Sequence, residues 1–332
     1  MKIGNIELGD FPLLLAPMED VSDPPFRAVC KQNGADLMFT EFISSEGLIR
    51  DAEKSVQKLD IYDDERPIGI QIFGDKIESM RLAAKISEAA KPEILDINYG
   101  CPVKKVACRG AGAGILLDLD KMQKMTAEIV KQVKIPVTVK TRLGWDENNI
   151  KIMEVAERLQ DVGIKALSIH GRTRKQMYKG MANWDYIAEV KNNPKINIPI
   201  FGNGDIDSPE KAVEYKKKYG VDGIMIGRAA IGNPWIFDEI KYYLKHNKKK
   251  SPPSIDERIL AVKKHLDFSI KWKGEKLGLV EMRRHYNNYF KGIDNFKEFR
   301  MKLVLSENIS SSLETLEEIS SIYNTKKETS IT

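Results

Sequence analysis

Short, almost wholly apolar runs punctuate the chain at near-regular intervals. They are Leu13-Leu14-Leu15-Ala16, Leu37-Met38-Phe39, Ile68-Gly69-Ile70-Gln71-Ile72, Ile94-Leu95-Asp96-Ile97, Val137-Thr138-Val139-Lys140, Ala166-Leu167-Ser168-Ile169, Ile198-Pro199-Ile200-Phe201 and Gly223-Ile224-Met225-Ile226. A strand with one wet face alternates apolar and polar residues. These runs do not, so they predict parallel strands covered on both faces. Helical spacing of apolar positions appears between them, as in 126–133 and 155–162. Ser22-Asp23-Pro24 offers a helix cap and a first-turn proline, with Gly34 as a stop. Asp207-Ser208-Pro209-Glu210 opens a helix that Gly220 closes, and Asn233-Pro234 opens another after the last strand.

Eight strand–helix units between about residue 12 and residue 245 match a (β/α)8 TIM barrel, a fold of ~250 residues. A doubly wound open sheet fits less well. Its first strand would lead into a glycine-rich turn, whereas here Pro17-Met18-Glu19-Asp20 follows. Residues 246–254 read as a linker, from His246 through Lys248-Lys249-Lys250 to Pro252-Pro253. Beyond it, residues 255–332 lack strand patterns and predict helices near 255–272, 280–290 and 296–306, with a polar end that frays. The expected fold class is therefore α/β, a barrel domain over 1–245 followed by a small all-helical domain.

Composition narrows the class. An apolar fraction of 42% excludes whole-chain disorder. No stretch reaches the roughly 18 apolar residues of a membrane span, and the start, Met1-Lys2-Ile3-Gly4-Asn5, lacks a signal-type apolar region. Cys30, Cys101 and Cys108 are too few for a disulfide framework and fit a reducing, cytoplasmic setting. The net charge of +5 is unevenly spread: residues 1–240 hold 34 basic and 36 acidic side chains, residues 241–302 hold 17 and 7. A near-neutral body with a basic appendage points to a polyanionic partner.

Barrels of this kind carry their chemistry where strands end. Gly202-Asn203-Gly204 after strand seven and Gly227-Arg228 after strand eight supply close backbone approach and a cation, the two halves of a phosphate site. Lys140, at the end of an apolar strand, would by itself read as a snorkelling lysine. With Gln71, Asn98 and His170 at neighbouring strand ends, it suits a planar heteroaromatic cofactor whose reduced form is anionic, such as a flavin. Cys101 lies in a long connection, roughly 99–118, and loops of that length are usually functional. Its distance from other cysteines and histidines argues against zinc. Cys30 and Cys108 read as filler.

Taken together, Pro17-Met18 with Asp23-Pro24-Pro25-Phe26-Arg27, Asp96-Ile97-Asn98-Tyr99-Gly100-Cys101-Pro102, His170-Gly171-Arg172-Thr173, Asn203-Gly204-Asp205 and Gly227-Arg228-Ala229-Ala230 resemble the tRNA-dihydrouridine synthases, nearest the bacterial B-type subgroup. The resemblance implies a flavoenzyme that uses FMN and NADPH to reduce the C5–C6 double bond of a uridine in the tRNA D-loop. By position it implies that Pro17, Met18, Gln71, Lys140, His170, Asn203, Gly204, Asp205, Gly227 and Arg228 contact FMN. Cys101 is implied as the catalytic acid, and Asn98 and Arg172 as facing the target base. Glu19-Asp20 stands where many relatives have small residues.

A base buried in folded tRNA must be extruded to reach a barrel mouth. The implied partner is therefore tRNA, docked partly on the basic helical region, with no membrane and no obligate protein partner. Candidate phosphate contacts there are Lys271, Lys273, Arg283, Arg284, Lys291, Lys297 and Arg300. Tyr286 and Tyr289 could stack on bases, although helix packing explains them better. Two other readings compete. One is a flavin barrel acting on a free pyrimidine, such as a dihydropyrimidine or dihydroorotate dehydrogenase. The other is a noncatalytic RNA-binding scaffold, which the joint presence of Cys101, Lys140 and His170 argues against.

Overall fold

A computed structural model describes residues 1–329. The frayed end expected for the last few residues lies outside the described residues. The strands are β1 (Lys2–Ile3), β2 (Ile6–Glu7), β3 (Leu13–Leu15), β4 (Met38–Phe39), β5 (Ile43–Ser44), β6 (Ile68–Phe73), β7 (Ile94–Tyr99), β8 (Val137–Arg142), β9 (Ala166–His170), β10 (Ile200–Asn203) and β11 (Gly223–Ile226). The first seven helices are α1 (Pro24–Gln32), α2 (Ser45–Ile49), α3 (Glu53–Gln57), α4 (Ile77–Ala89), α5 (Lys104–Ala107), α6 (Leu119–Gln132) and α7 (Ile152–Asp161). Then come α8 (Asp185–Asn192), α9 (Pro209–Tyr219), α10 (Ile236–His246), α11 (Ile255–Lys273), α12 (Glu275–Tyr289), α13 (Lys297–Leu305) and α14 (Ile309–Thr329).

From β3 to β11 the strands form one parallel sheet in the order β3-β11-β10-β9-β8-β7-β6-β4, with β5 also on β6. A parallel bridge between Leu14 and Leu37 closes it into the expected barrel. All eight predicted runs lie on it. The second position splits into β4 and β5, both paired with β6. The seventh starts at Ile200 rather than at Ile198, after Pro199, which has no N–H for a ladder.

Strand alternation sorts the side chains. Leu13, Leu15, Ile70, Ile72, Leu95, Ile97, Val139, Leu167 and Ile169 face the surrounding helices. Leu14, Phe39, Ile94, Ala166, Phe201 and Met225 fill the barrel interior. The hairpin β1–β2 contributes Ile3 to that inner cluster. It lies beside Pro136, immediately before β8, because a Cβ on Gly4 would meet the Pro136 ring at 2.7 Å. The hairpin thus stoppers the end of the barrel where strands begin.

Helices α11 to α14 enclose a separate core that includes Val262, Leu266, Met282, Tyr286, Tyr289, Leu303, Leu316 and Ile319. Ser254 and Glu257 form a capping box at the start of α11. Tyr286 and Tyr289 are fully buried, so they serve as packing. Among the described residues, Phe26 packs on the His265 and His285 rings and Trp235 on Tyr289, and polar ties also join this bundle to the barrel. Lys273 Nζ meets Asp23 Oδ2, the cap of α1, at 3.0 Å. Trp272 Nε1 donates to Asp60 Oδ2 at 3.0 Å, and Arg284 donates to the Asp20 carbonyl.

Candidate active site

Higher in the barrel the inward positions turn polar. Gln71, Asp96, Thr138 and Ser168 form a buried layer, and Asn98, Lys140, His170 and Asn203 lie above it. Register aligns them: Asn98 pairs with Lys140, Lys140 with Ser168, and His170 with Asn203. These side chains open onto a cavity of about 690 Å³ lined also by Pro17, Met18, Cys101, Gly204, Asp205, Gly227 and Arg228. That size is ordinary for a cofactor site.

A hydrogen-bond relay runs up the wall. Asp96 accepts from Thr138 Oγ1 and from Gln71 Nε2, each at 2.5 Å. Gln71 Oε1 accepts from Asn98 Nδ2 at 2.8 Å. Asn98 Oδ1 accepts the backbone N–H of Gly100 at 2.9 Å and of Cys101 at 2.8 Å. Burial pushes the Asp96 carboxyl up to about 6, against the bonds from Gln71 and Thr138. Gln71 is therefore fully buried and joined to the cavity wall by its bond to Asn98.

Cys101 is buried and lines the cavity. Burial pushes its thiol above the ordinary value, against the Val103 N–H and the charge of Arg142. Its connection is not a bare loop: it contains α5 and a 3-10 turn over Gly112–Leu117. Gly112, at φ +52°, packs so closely that a Cβ would come within 2.9 Å of the Cys101 Cβ and carbonyl oxygen.

Lys140 Nζ donates to Asn203 Oδ1 at 3.2 Å. Burial, reinforced by Arg142, lowers its ammonium to about 8. Burial and the surrounding cations Arg142, Lys140, Arg172 and Arg228 hold the His170 imidazole well below its ordinary range, so it is neutral at pH 7. On the far side, Gly204 has φ +123°, and a Cβ there would approach Ala182 and His170 at 2.7 and 3.1 Å. Gly227 precedes a short 3-10 turn, Arg228–Ala230. Bare backbone at two glycines plus an exposed guanidinium fits a phosphate. A lysine and a neutral imidazole beside the apolar Ala16, Met18 and Met225 fit a flavin ring.

Arg172 is buried beneath the cavity. It donates to Asp205 Oδ2 at 2.8 Å, to the Lys179 and Gly180 carbonyls at 3.3 and 2.6 Å, and lies 3.3 Å from His170 Nε2. Burial raises the Asp205 carboxyl, but the Ala182 N–H, Arg172 and Arg228 outweigh that and hold it below the ordinary carboxylate value. Arg283 and Arg284 lie on α12, exposed and outside the cavity. Lys273 is committed to Asp23 and Glu281.

Arg142 and Tyr178 are among the cavity residues that the sequence left unassigned. Arg142, buried, donates to the carbonyls of Gly100, Thr173 and Met177 at 2.8, 3.0 and 2.8 Å. Burial lowers its guanidinium to about 10, so it stays charged at pH 7. Tyr178 stands at the mouth with the guanidinium carbons of Arg228 and Arg142 at 4.7 and 5.7 Å from its ring centre. Arg142 was accessible to reasoning, since it lies two residues beyond Lys140 on one strand and shares its face. Tyr178 lies in a connection with no periodicity to read.

A profile of the dihydrouridine synthase (Dus) family matches residues 14–324. The chain is 40% identical over 309 residues to a probable tRNA-dihydrouridine synthase of Rickettsia prowazekii (strain Madrid E), covering 93% of this chain and 94% of that protein. It is 39% identical over 302 residues to tRNA-dihydrouridine synthase B of Pseudomonas putida, covering 91% and 89%. Among solved structures, a 2-naphthoyl-CoA reductase in complex with 2-naphthoyl-CoA superposes with a TM-score of 0.58 at 12% identity, over 73% of this chain and 51% of that one. Morphinone reductase in complex with tetrahydroNAD gives 0.52 at 11%, over 76% and 91%. At such identities the likeness concerns the fold alone.

Proposed function

The chain belongs to the tRNA-dihydrouridine synthase family, B type, and from that membership we propose an FMN- and NADPH-dependent enzyme that reduces the C5–C6 double bond of uridines in the tRNA D-loop. The observation that supports this reading most is the gathering of Cys101, Lys140, His170, Gly204 and Arg228 around one cavity at the strand ends. Bound FMN would supply the hydride for C6 of the uracil, drawn from NADPH. Pro17, Met18, Lys140, His170 and Asn203 would hold its ring, and Gly204, Gly227 and Arg228 its phosphate. Asp205 would act by positioning Arg172 and Arg228.

Cys101 holds the proton for C5. Burial favours the thiol over the thiolate, which is the form a general acid needs. Asn98 fixes the backbone that carries the sulfur. After transfer, the thiolate regains a proton from water at the cavity mouth. Exposed Arg283, Lys291 and Lys297 on the bundle would take phosphates of the tRNA body, which makes binding weaken steeply with salt.

The deciding experiment is anaerobic. Flavin-loaded protein is bleached with limiting NADPH, tRNA lacking dihydrouridine is added, and visible absorbance is followed. Recovery of absorbance that requires tRNA, and that slows greatly in Cys101→Ala, is the expected result. Bleaching that only free uracil reverses would replace tRNA by a free pyrimidine as substrate.

A further inference from the structure

Two buried arginines brace one connection from within. Arg142, at the end of β8, binds the carbonyls of Thr173 and Met177. Arg172, just past β9, binds those of Lys179 and Gly180. The N–H groups of Arg174 and Lys175 donate to the carbonyls of Gly144 and Trp145, each at 2.9 Å. The N–H of Thr173 donates to Gln176 Oε1 at 2.7 Å and closes the turn. Backbone held at so many points costs the chain entropy on folding, so the shape it holds calls for a use.

The same turn presents large apolar side chains to water. Met177, Tyr178 and Met181 are 43%, 53% and 76% exposed. A single exposed apolar residue is ordinary, whereas several together on one braced turn mark a surface that something covers. Their neighbours are cations: residues 173–181 contain Arg174, Lys175 and Lys179 and no acid. The turn is continuous with the cavity, because Tyr178 lines the mouth.

Soft apolar surface interleaved with positive charge is the chemistry that grips unpaired nucleotides. Bases pack on the apolar groups and phosphates on the cations. A methionine thioether adapts to a flat ring as well as to an aliphatic partner. Extruding one base also strips its neighbours of a stacking partner. We propose that residues 174–181 form a stacking arm for the unpaired nucleotides flanking the target uridine, with Met177 and Met181 as the contact surface. The proposal rests on the reading of the chain as a tRNA-reducing enzyme.

The test is the double variant Met177→Ser, Met181→Ser in the flavin-loaded full chain, assayed with unmodified tRNA. Neither side chain lines the cavity, and exposed positions of this kind tolerate substitution. The KM for tRNA should rise roughly tenfold, as expected for lost base packing. Bleaching by NADPH alone should be unchanged. The dependence of tRNA affinity on salt should keep its slope, because no charge is removed. The variant Met177→Leu, Met181→Leu should restore most of the loss. A KM within twofold of wild type in the serine variant overturns the arm while leaving the enzyme intact. Slower bleaching with an unchanged tRNA KM also overturns it and gives the turn to the dinucleotide. A wild-type chain that leaves tRNA unreduced overturns the underlying reading and the arm with it.

Discussion

The side-chain oxygen of Asn98 accepts the backbone N–H of Cys101 at 2.8 Å. The amide of Asn98 in turn rests on Gln71, and Gln71 on Asp96. In the proposed reaction the thiol that protonates the base is therefore set by a relay rooted in the Gln71–Asp96 layer beneath Asn98. Asn98→Ala should slow the tRNA-dependent step roughly tenfold to a hundredfold, as small misplacements of reacting groups do. Bleaching by NADPH should be unaffected. Rapid-mixing absorbance of the two half-reactions separates them.

The pH response should differ between the two steps. A general acid works only while protonated, and an unperturbed cysteine titrates near ~8.5. Burial moves Cys101 above its ordinary value, so the tRNA-dependent rate should hold its plateau through that pH and fall only beyond it. Lys140 runs the other way, losing its charge as pH rises through about 8. FMN affinity should therefore weaken above pH 8, and Lys140→Met should flatten that dependence. Titrations of flavin fluorescence across pH would show it.

Gly112→Ala should be far more harmful than a methyl group suggests. The position has φ +52°, and its Cβ would press on Cys101 at 2.9 Å. An L-residue there strains the backbone and pushes the sulfur from its place. We expect the tRNA-dependent step to collapse with FMN content unchanged. Flavin absorbance per protein, read beside activity, distinguishes this from misfolding.

The pair Arg27–Glu65 is wholly buried, at 2.9 Å. Burial raises the Glu65 carboxyl, while Arg27 favours its charge. Arg27 also donates to the carbonyls of Ser22 and Asp60, and so steadies the loop that carries Pro17 and Met18. Arg27→Ala leaves a buried carboxylate without its cation, a loss on the order of 3–5 kcal/mol. Urea unfolding should show the midpoint shift.

Much of the site could be read from the chain because a barrel strand offers only two faces. Once Ile94, Asp96 and Asn98 are put on one face, their neighbours in register follow. Depth along the barrel is not encoded in that alternation. Gln71 thus reads as a cavity residue, and its side chain is found fully buried, bonded to Asn98 and Asp96. Pairings across distant loops are equally silent. Arg172 and Asp205 are 33 residues apart, and nothing in either motif announces that they bind each other. The brace at Gly100, Thr173 and Met177 is invisible for the same reason, since backbone carbonyls have no letter in a sequence.

The stopper made by the N-terminal hairpin bears on the order of events. With Ile3 seated in the inner cluster and Phe39 and Phe201 filling the shaft above it, nothing passes through the barrel from below. In the proposed reaction the dinucleotide and the RNA then share a single doorway and must take turns in it. Initial-rate plots against one reactant at several levels of the other should run parallel, and the oxidised dinucleotide should compete with tRNA for entry.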